Sequence, residues 1–182
     1  MTDQLRVLGL VSSRLETANI PYMLSGSLAM NYYGEPRMTR DIDLVVALQL
    51  TDVDRMLTLF KADFYCDEEA MRAAIRRRAL FNLIHFELVV KVDIIVQQDD
   101  AYRRTEFGRR QRITLDDVPV WIVAIEDLVL SKLLWAKKGE SALQLDDVTN
   151  LVASGRHIDW AYLDQWAAEL TVAQLLKRVR QR

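Results

Sequence analysis

Behind Thr2, the apolar residues Leu5, Leu8, Val11 and Leu15 recur at helical spacing, so the chain is expected to open with an amphipathic helix ending near Asn19 and Pro21. A short apolar strand, Tyr22 to Leu24, follows. Ser25-Gly26-Ser27 then reads as a tight strand-to-helix turn into a short helix from Leu28 to Tyr33. Asp41 to Val46 reads as a strand. Thr51-Asp52-Val53-Asp54 resembles a capping box for a helix to about Phe64, and Asp67 is placed to cap another helix that carries Arg76, Arg77 and Arg78. Two β-rich runs, Leu80 to Phe86 and Leu88 to Val96, are expected to be neighbours in one sheet. Asp99 to Arg112 is a polar segment with no assigned element. Arg112 to Leu115 and Val118 to Ile122 read as edge strands. Beyond Ile125 every run is helical: Ile125 to Ala136, Ser141 to Val152, Asp159 to Glu169 and Val172 to Arg180.

This order predicts an α/β (α+β) fold with a mixed β-sheet flanked by helices over residues 1–124, and a C-terminal helical cap over residues 125–182. Composition agrees with a compact unit: of 182 residues, 51% are hydrophobic and 27% charged, with 6 glycines and 3 prolines. The single cysteine, Cys66, excludes an internal disulfide, and two histidines, His85 and His157, exclude a multi-histidine metal centre. The balance of 24 basic and 26 acidic residues excludes a uniformly basic nucleic-acid binder. Asp3, Arg6 and Arg14 break up the N-terminus, so no signal peptide is expected there, and no run reaches the roughly 20 apolar residues that span a bilayer. A cytoplasmic chain with no membrane partner is the expectation.

The sharpest chemical feature is Asp41-Ile42-Asp43. Alternate side chains of a strand share a face, so the two carboxylates project from one side about 6–7 Å apart along the strand. Like charges that close repel unless a cation lies between them, and carboxylate oxygens suit hard divalent ions such as Mg²⁺. Asp93, inside the otherwise apolar Val92 to Val96, is a third strand-borne acid and is costly unless partnered. Three converging aspartates can hold one or two Mg²⁺ of the kind that clamps an in-line phosphoryl or nucleotidyl displacement. The plainer alternative is that Asp41 and Asp43 face solvent and Asp93 pairs with Lys91. Ser25-Gly26-Ser27 adds a glycine that lets backbone N–H groups approach a ligand, at a helix start that attracts phosphate.

Together, Leu24-Ser25-Gly26-Ser27, Asp41-Ile42-Asp43-Leu44 and Val92-Asp93-Ile94 resemble the signature of the DNA polymerase β-like nucleotidyltransferases, with thirteen residues between Ser27 and Asp41. Gly34 to Leu44 further resembles the AbiEii-type branch of minimal nucleotidyltransferases, which includes toxins of toxin–antitoxin pairs. The resemblance covers about residues 5 to 155. It implies that Asp41, Asp43 and Asp93 hold Mg²⁺ or Mn²⁺, and that Asp93 also helps deprotonate an attacking hydroxyl. Gly26 and Ser27 would cradle the phosphates of a nucleoside triphosphate. Lys132 and Asp147 match the branch's helical lysine and the aspartate about fifteen residues on, with Lys132 aimed at phosphate and Asp147 orienting it. A tRNA 3′ end is the leading acceptor, a protein side-chain hydroxyl the second, and a cognate antitoxin a further partner. The rival is a non-catalytic nucleotide- or partner-binding protein on the same scaffold. Many relatives keep a glycine between the two strands that lead to the third aspartate, where this chain has Phe86-Glu87-Leu88-Val89.

Arg37 and Arg40 are candidate phosphate ligands, because a guanidinium matches phosphate bidentately. Lys91 shares a face with Asp93 and reads as its partner. His85 and the four tryptophans, Trp121, Trp135, Trp160 and Trp166, read as core, and Cys66 as inert. Five arginines against one glutamate over residues 103–112, the cations of residues 177–182, and Arg76 to Arg78 are candidate RNA-backbone contacts.

Overall fold

The computed structural model describes residues 1–139 and 141–181. Helix α1 (Asp3–Thr17) is capped by Thr2, whose hydroxyl accepts from Leu5 N, and its apolar stripe is buried. Strand β1 (Tyr22–Ser25) runs directly into α2 (Gly26–Tyr33), and β2 (Ile42–Val46) returns beside it. Next come α3 (Val53–Phe60), β3 (Phe64–Cys66), α4 (Glu68–Arg77), β4 (Leu80–His85), β5 (Lys91–Val96), α5 (Ala101–Gly108), β6 (Gln111–Leu115) and β7 (Val118–Ile122). Four helices close the chain: α6 (Ile125–Gly139), α7 (Ala142–Ala153), α8 (Trp160–Glu169) and α9 (Ala173–Arg180).

Among the described residues, seven strands form one mixed sheet in the order β3-β4-β5-β2-β1-β7-β6. β2 runs parallel to β5 and β1 parallel to β7, while the other neighbours are antiparallel. The expected mixed sheet flanked by helices is therefore present. β7 lies inside the sheet between β1 and β6, not at its edge. The β6–β7 hairpin turns through Asp116 and Asp117, both at positive φ, the geometry that a two-residue turn of matching twist requires.

Two elements depart from expectation. The polar segment 99–112 contains α5, which Asp100 caps by accepting from Arg103 N. Its few apolar residues, Tyr102 and Phe107, are buried, too sparse a stripe to announce a helix. The capping box ahead of α3 is formed by Gln49 and Asp52 around a 3-10 turn, two residues earlier than Thr51 and Asp54. The helix stops at Phe60, and Phe64, its expected end, instead opens β3, a short edge strand.

Burial alternates strictly along β2 and β5. Ile42, Leu44, Val46, Val92, Ile94 and Val96 are all at or near zero exposure, forming the floor of the core. The intervening residues face the opposite, half-open side. Helix α6 is buried on nearly its whole circumference, carrying Glu126, Asp127, Ser131 and Lys132 inside with its leucines. Such a helix is central, and its polar groups need internal partners. Arg109 bridges Asp127 at 2.9 Å and Glu126 at 3.0 Å, and Tyr162 donates to Asp127 at 2.6 Å, which ties α6 to the end of α5 and to α8. Among the described residues, no helix is long and apolar enough to cross a membrane.

Candidate active site

The half-open face is organised by register. Ser25 lies opposite Asp43, Asp43 opposite Asp93, and Asp93 opposite Asn82, so these four residues form one row across β1, β2, β5 and β4. Residues opposed in register share a face, so the two aspartates stand side by side. Asn82 donates to the Asp93 carboxylate. Asp41 lies just before β2, two residues back on the same side.

Gly26 begins α2 at φ +62°, and a Cβ there would fall 1.9 Å from Asp43 Oδ2 and 2.7 Å from Asp43 Cβ. Only glycine lets the turn pass this closely over the carboxylate. Burial, and after it the charges of Asp93 and Asp41, raises the Asp43 carboxyl above its ordinary value, partly offset by the Ser27 backbone N–H bonded to it. The residues fit a divalent cation in donor type and in charge. The oxygens are hard, and the repulsion that raises Asp43 is the kind a bound cation removes. As they stand, the side chains are not gathered into a finished metal cage among the described residues. Lys91 Nζ lies between Asp41 Oδ2 at 3.1 Å and Asp93 Oδ1 at 3.2 Å. The expected Lys91–Asp93 pair is thus present, extended to Asp41.

A second cluster faces the start of α2. Asp147 on α7 accepts from Arg37 Nε at 2.8 Å, Arg37 Nη2 at 2.9 Å and Lys132 Nζ at 2.7 Å. Arg37 Nη2 also donates to Ser27 Oγ at 2.9 Å, and Lys132 Nζ to Gln144 Oε1 at 3.2 Å. Asn31 holds the Arg37 backbone through both its amide groups. Burial pushes the Lys132 ammonium below its ordinary value despite Asp147. Burial also opposes the Asp147 carboxylate, but hydrogen bonds from Arg37 and Lys132 outweigh it and hold that group below the usual range. Asp147 is buried and its neighbour Asp146 exposed, which separates the two. Of the predicted site residues, the fold brings together Gly26, Ser27, Arg37, Asp41, Asp43, Asp93, Lys132 and Asp147, whereas Arg40 lies exposed on the preceding loop.

Asn31, Asn82 and Gln144 escaped the sequence reading. None belongs to a recognisable pattern, and their importance comes from register and packing. Trp135 corrects the assignment of all four tryptophans to the core. It is 39% exposed, and Trp121, Trp160 and Trp166 are only partly buried. Trp135 lines a cavity of about 120 Å³ together with Val45, Ile95, Gln97, Arg103 and Glu106. Val45 and Ile95 are the next same-face residues after Asp43 and Asp93, so the cavity adjoins the carboxylate row. His85 is buried, accepts from Leu88 N at 3.2 Å and meets Phe64 edge-on, as a core residue should. Burial pushes the Cys66 thiol up to about 11, consistent with an inert side chain.

The arginines of 103–112 are largely internal partners. Arg103 pairs with buried Glu106 at 2.8 Å, Arg104 with Asp99 at 3.0 Å, Arg109 with Glu126 and Asp127, and Arg112 with Glu16. Arg110 stacks over Phe107 and Trp121. Glu16, Glu126 and Asp127, distant in the chain, thus offset part of the local charge excess seen in sequence, and Glu106 and Asp99 pair with the rest locally, Arg110 excepted. Arg180 likewise pairs with Asp164 at 3.0 Å.

No protein-family model matches the chain, and no curated protein matches it in sequence. Solved structures with the nucleotidyltransferase fold do match it in shape. An antigenic nucleotidyltransferase-like protein from Paracoccidioides brasiliensis superposes with a TM-score of 0.64 at 17% identity, over 98% of this chain and 88% of that one. ANT(2")-Ia in complex with adenylyl-2"-tobramycin gives a TM-score of 0.58 at 13% identity, over 97% and 99%. The lincosamide antibiotic adenylyltransferase LnuA, lincomycin-bound, gives 0.54 at 16%, over 85% and 98%. At these identities the likeness establishes the fold: the chain has the architecture of the nucleotidyltransferases.

Proposed function

We propose that this protein is a metal-dependent nucleotidyltransferase that moves a nucleoside monophosphate from a nucleoside triphosphate to an acceptor hydroxyl, releasing pyrophosphate. The observation that carries the reading is the in-register pair Asp43 and Asp93 beneath the positive-φ turn at Gly26. Asp41, Asp43 and Asp93 would hold Mg²⁺ or Mn²⁺, which when bound neutralises triphosphate charge and stabilises the departing pyrophosphate. Gly26 and Ser27 orient the phosphates through backbone N–H groups at the start of α2. Arg37 and Lys132, held together by Asp147, supply positive charge at the same end. The acceptor oxygen bonds to the α phosphorus as the bond from that phosphorus to its bridging oxygen breaks, and the hydroxyl proton passes to Asp93. Catalysis of this kind needs positioning and charge stabilisation more than covalent participation.

The AbiEii-type resemblance makes a tRNA 3′ end the first acceptor to examine, with a toxin role and an antitoxin partner following from it. The internal pairing of the 103–112 arginines and the cavity beside Trp135 favour a second reading, a small hydroxylated acceptor. The test incubates the full chain with each labelled nucleoside triphosphate and Mg²⁺, separately with total RNA, total protein and a panel of hydroxylated small molecules. Label transferred to one fraction, and lost in Asp43→Asn, supports the proposal and selects the acceptor. Absence of label from every fraction with all four nucleotides overturns the transferase reading in favour of the binding protein.

A further inference from the structure

The Lys91 ammonium lies between two carboxylates of the candidate metal site, 3.1 Å from Asp41 and 3.2 Å from Asp93. Lys91 and Asp93 are separated by about 6–7 Å along β5 on one face, so the lysine stem must fold forward along the strand to reach that place. Its side chain is 37% exposed and Asp41's 43%, whereas Asp93's is 13% exposed. The ammonium therefore has an open way back to solvent, while Asp93 stays in place through Asn82. A lysine head is a compact point charge on a flexible stem. That is the chemistry of a replaceable counter-ion.

We infer that Lys91 is a tethered cation standing in for the divalent ion between Asp41 and Asp93, and that metal binds this site only by displacing it. The inference rests on the metal-binding reading of the three aspartates given above. Two consequences follow. Without metal, Lys91 relieves the repulsion among the aspartates, so the apo-protein keeps the row assembled. With metal, every ion must compete with a covalently attached rival, so free metal binds weakly. A metal that arrives already complexed to triphosphate has an advantage, because the incoming anion offers the displaced ammonium a new partner. Lys91 is on this account a positioning residue that sets metal affinity and order of binding.

The test is Mn²⁺ titration of the full chain, stripped with EDTA, followed by the loss of the free-ion electron paramagnetic resonance signal. Wild type is compared with Lys91→Met and Lys91→Gln, and Asp43→Asn serves as the control for binding at this site. Removing two partly exposed ion pairs from the competition should tighten Mn²⁺ binding about tenfold in both variants. The same variants should melt lower than wild type in EDTA and gain more from added Mn²⁺. Equal or weaker Mn²⁺ binding in both variants, with wild-type binding intact and abolished by Asp43→Asn, overturns the role of Lys91 alone. Absence of Mn²⁺ binding from wild type and variants alike overturns the metal reading and this inference with it.

Discussion

Gly26 and Asp43 occupy each other's space: a side chain at 26 would begin 1.9 Å from the Asp43 carboxylate oxygen and 2.7 Å from the Asp43 Cβ, which the strand backbone holds in place. Gly26→Ala is therefore expected to displace β1 from β2 at the row. The positive φ adds about 1–2 kcal/mol of its own. Nucleotide binding should be lost and the melting temperature should fall by several degrees. Calorimetry with and without nucleotide checks both, and an alanine variant that melts and binds like wild type refutes the close approach.

Asp43 is expected to trade stability for function. Its carboxyl is raised in the folded protein, first by burial and then by Asp93, so its contribution to stability is complete at pH values below the ordinary carboxylate range and lost as pH rises through the raised value. At neutral pH its ionisation opposes folding. Asp43→Asn keeps an acceptor for the Ser27 N–H without the charge. In EDTA at pH 7 it should melt a few degrees above wild type, each kcal/mol being worth about 2–4 °C in a chain of this size, with the gap closing towards pH 4. Transfer activity should disappear. A lower melting point at pH 7 argues against the buried charge.

Asp147 holds two cations, one of them the buried Lys132. Asp147→Ala leaves that ammonium without its carboxylate and is expected to cost about 3–5 kcal/mol, seen as a lowered urea midpoint. Adding Lys132→Met should restore most of the loss. Because the Asp147 carboxyl is held low in the folded state, its stabilisation is full above the ordinary carboxylate range and fades as pH falls through the depressed value. Wild-type melting curves should show this acid decline, and it should be diminished in Asp147→Asn.

Val89 closes the β4–β5 turn at φ +50° and is 76% exposed. A β-branched residue in the left-handed region is strained, and little packing is lost with the side chain. Relief of about 1–2 kcal/mol, less the roughly 0.5–1 kcal/mol entropic cost of glycine, should on central values leave Val89→Gly about 0.75 kcal/mol more stable. An unchanged or lower urea midpoint would contradict this.

Arg104 and Arg109 stand five residues apart and should behave oppositely. Arg104 pairs with exposed Asp99, so Arg104→Met should change stability by less than about 1 kcal/mol. Arg109→Met leaves buried Asp127 and Glu126 without their cation and should cost about 3–5 kcal/mol. Similar urea midpoints for the two variants would show that the pairs around Arg109 contribute little.

Periodicity and short-range chemistry were enough to recognise α1, α2, β2, β4, β5 and the terminal helices, since apolar spacing and capping residues act within a few positions. Acids placed on apolar strands singled out Asp41, Asp43 and Asp93, the glycine turn singled out Gly26 and Ser27, and the resemblance to the nucleotidyltransferases added Lys132 and Asp147. The sparse apolar stripe of α5 hid that helix, and the interior place of β7 depends on pairing with β1, far away in the chain. Whether Asp43 meets Asp93, whether Asn82 supports it, and where Lys91 rests are matters of strand register. The basic run at 103–112 appears as a charged patch only in one dimension. In three, Glu16, Glu126 and Asp127 neutralise much of it. Local sequence determined which groups this protein carries. The tertiary structure decided which of them meet, because the contacts that set their charge and burial join residues distant along the chain.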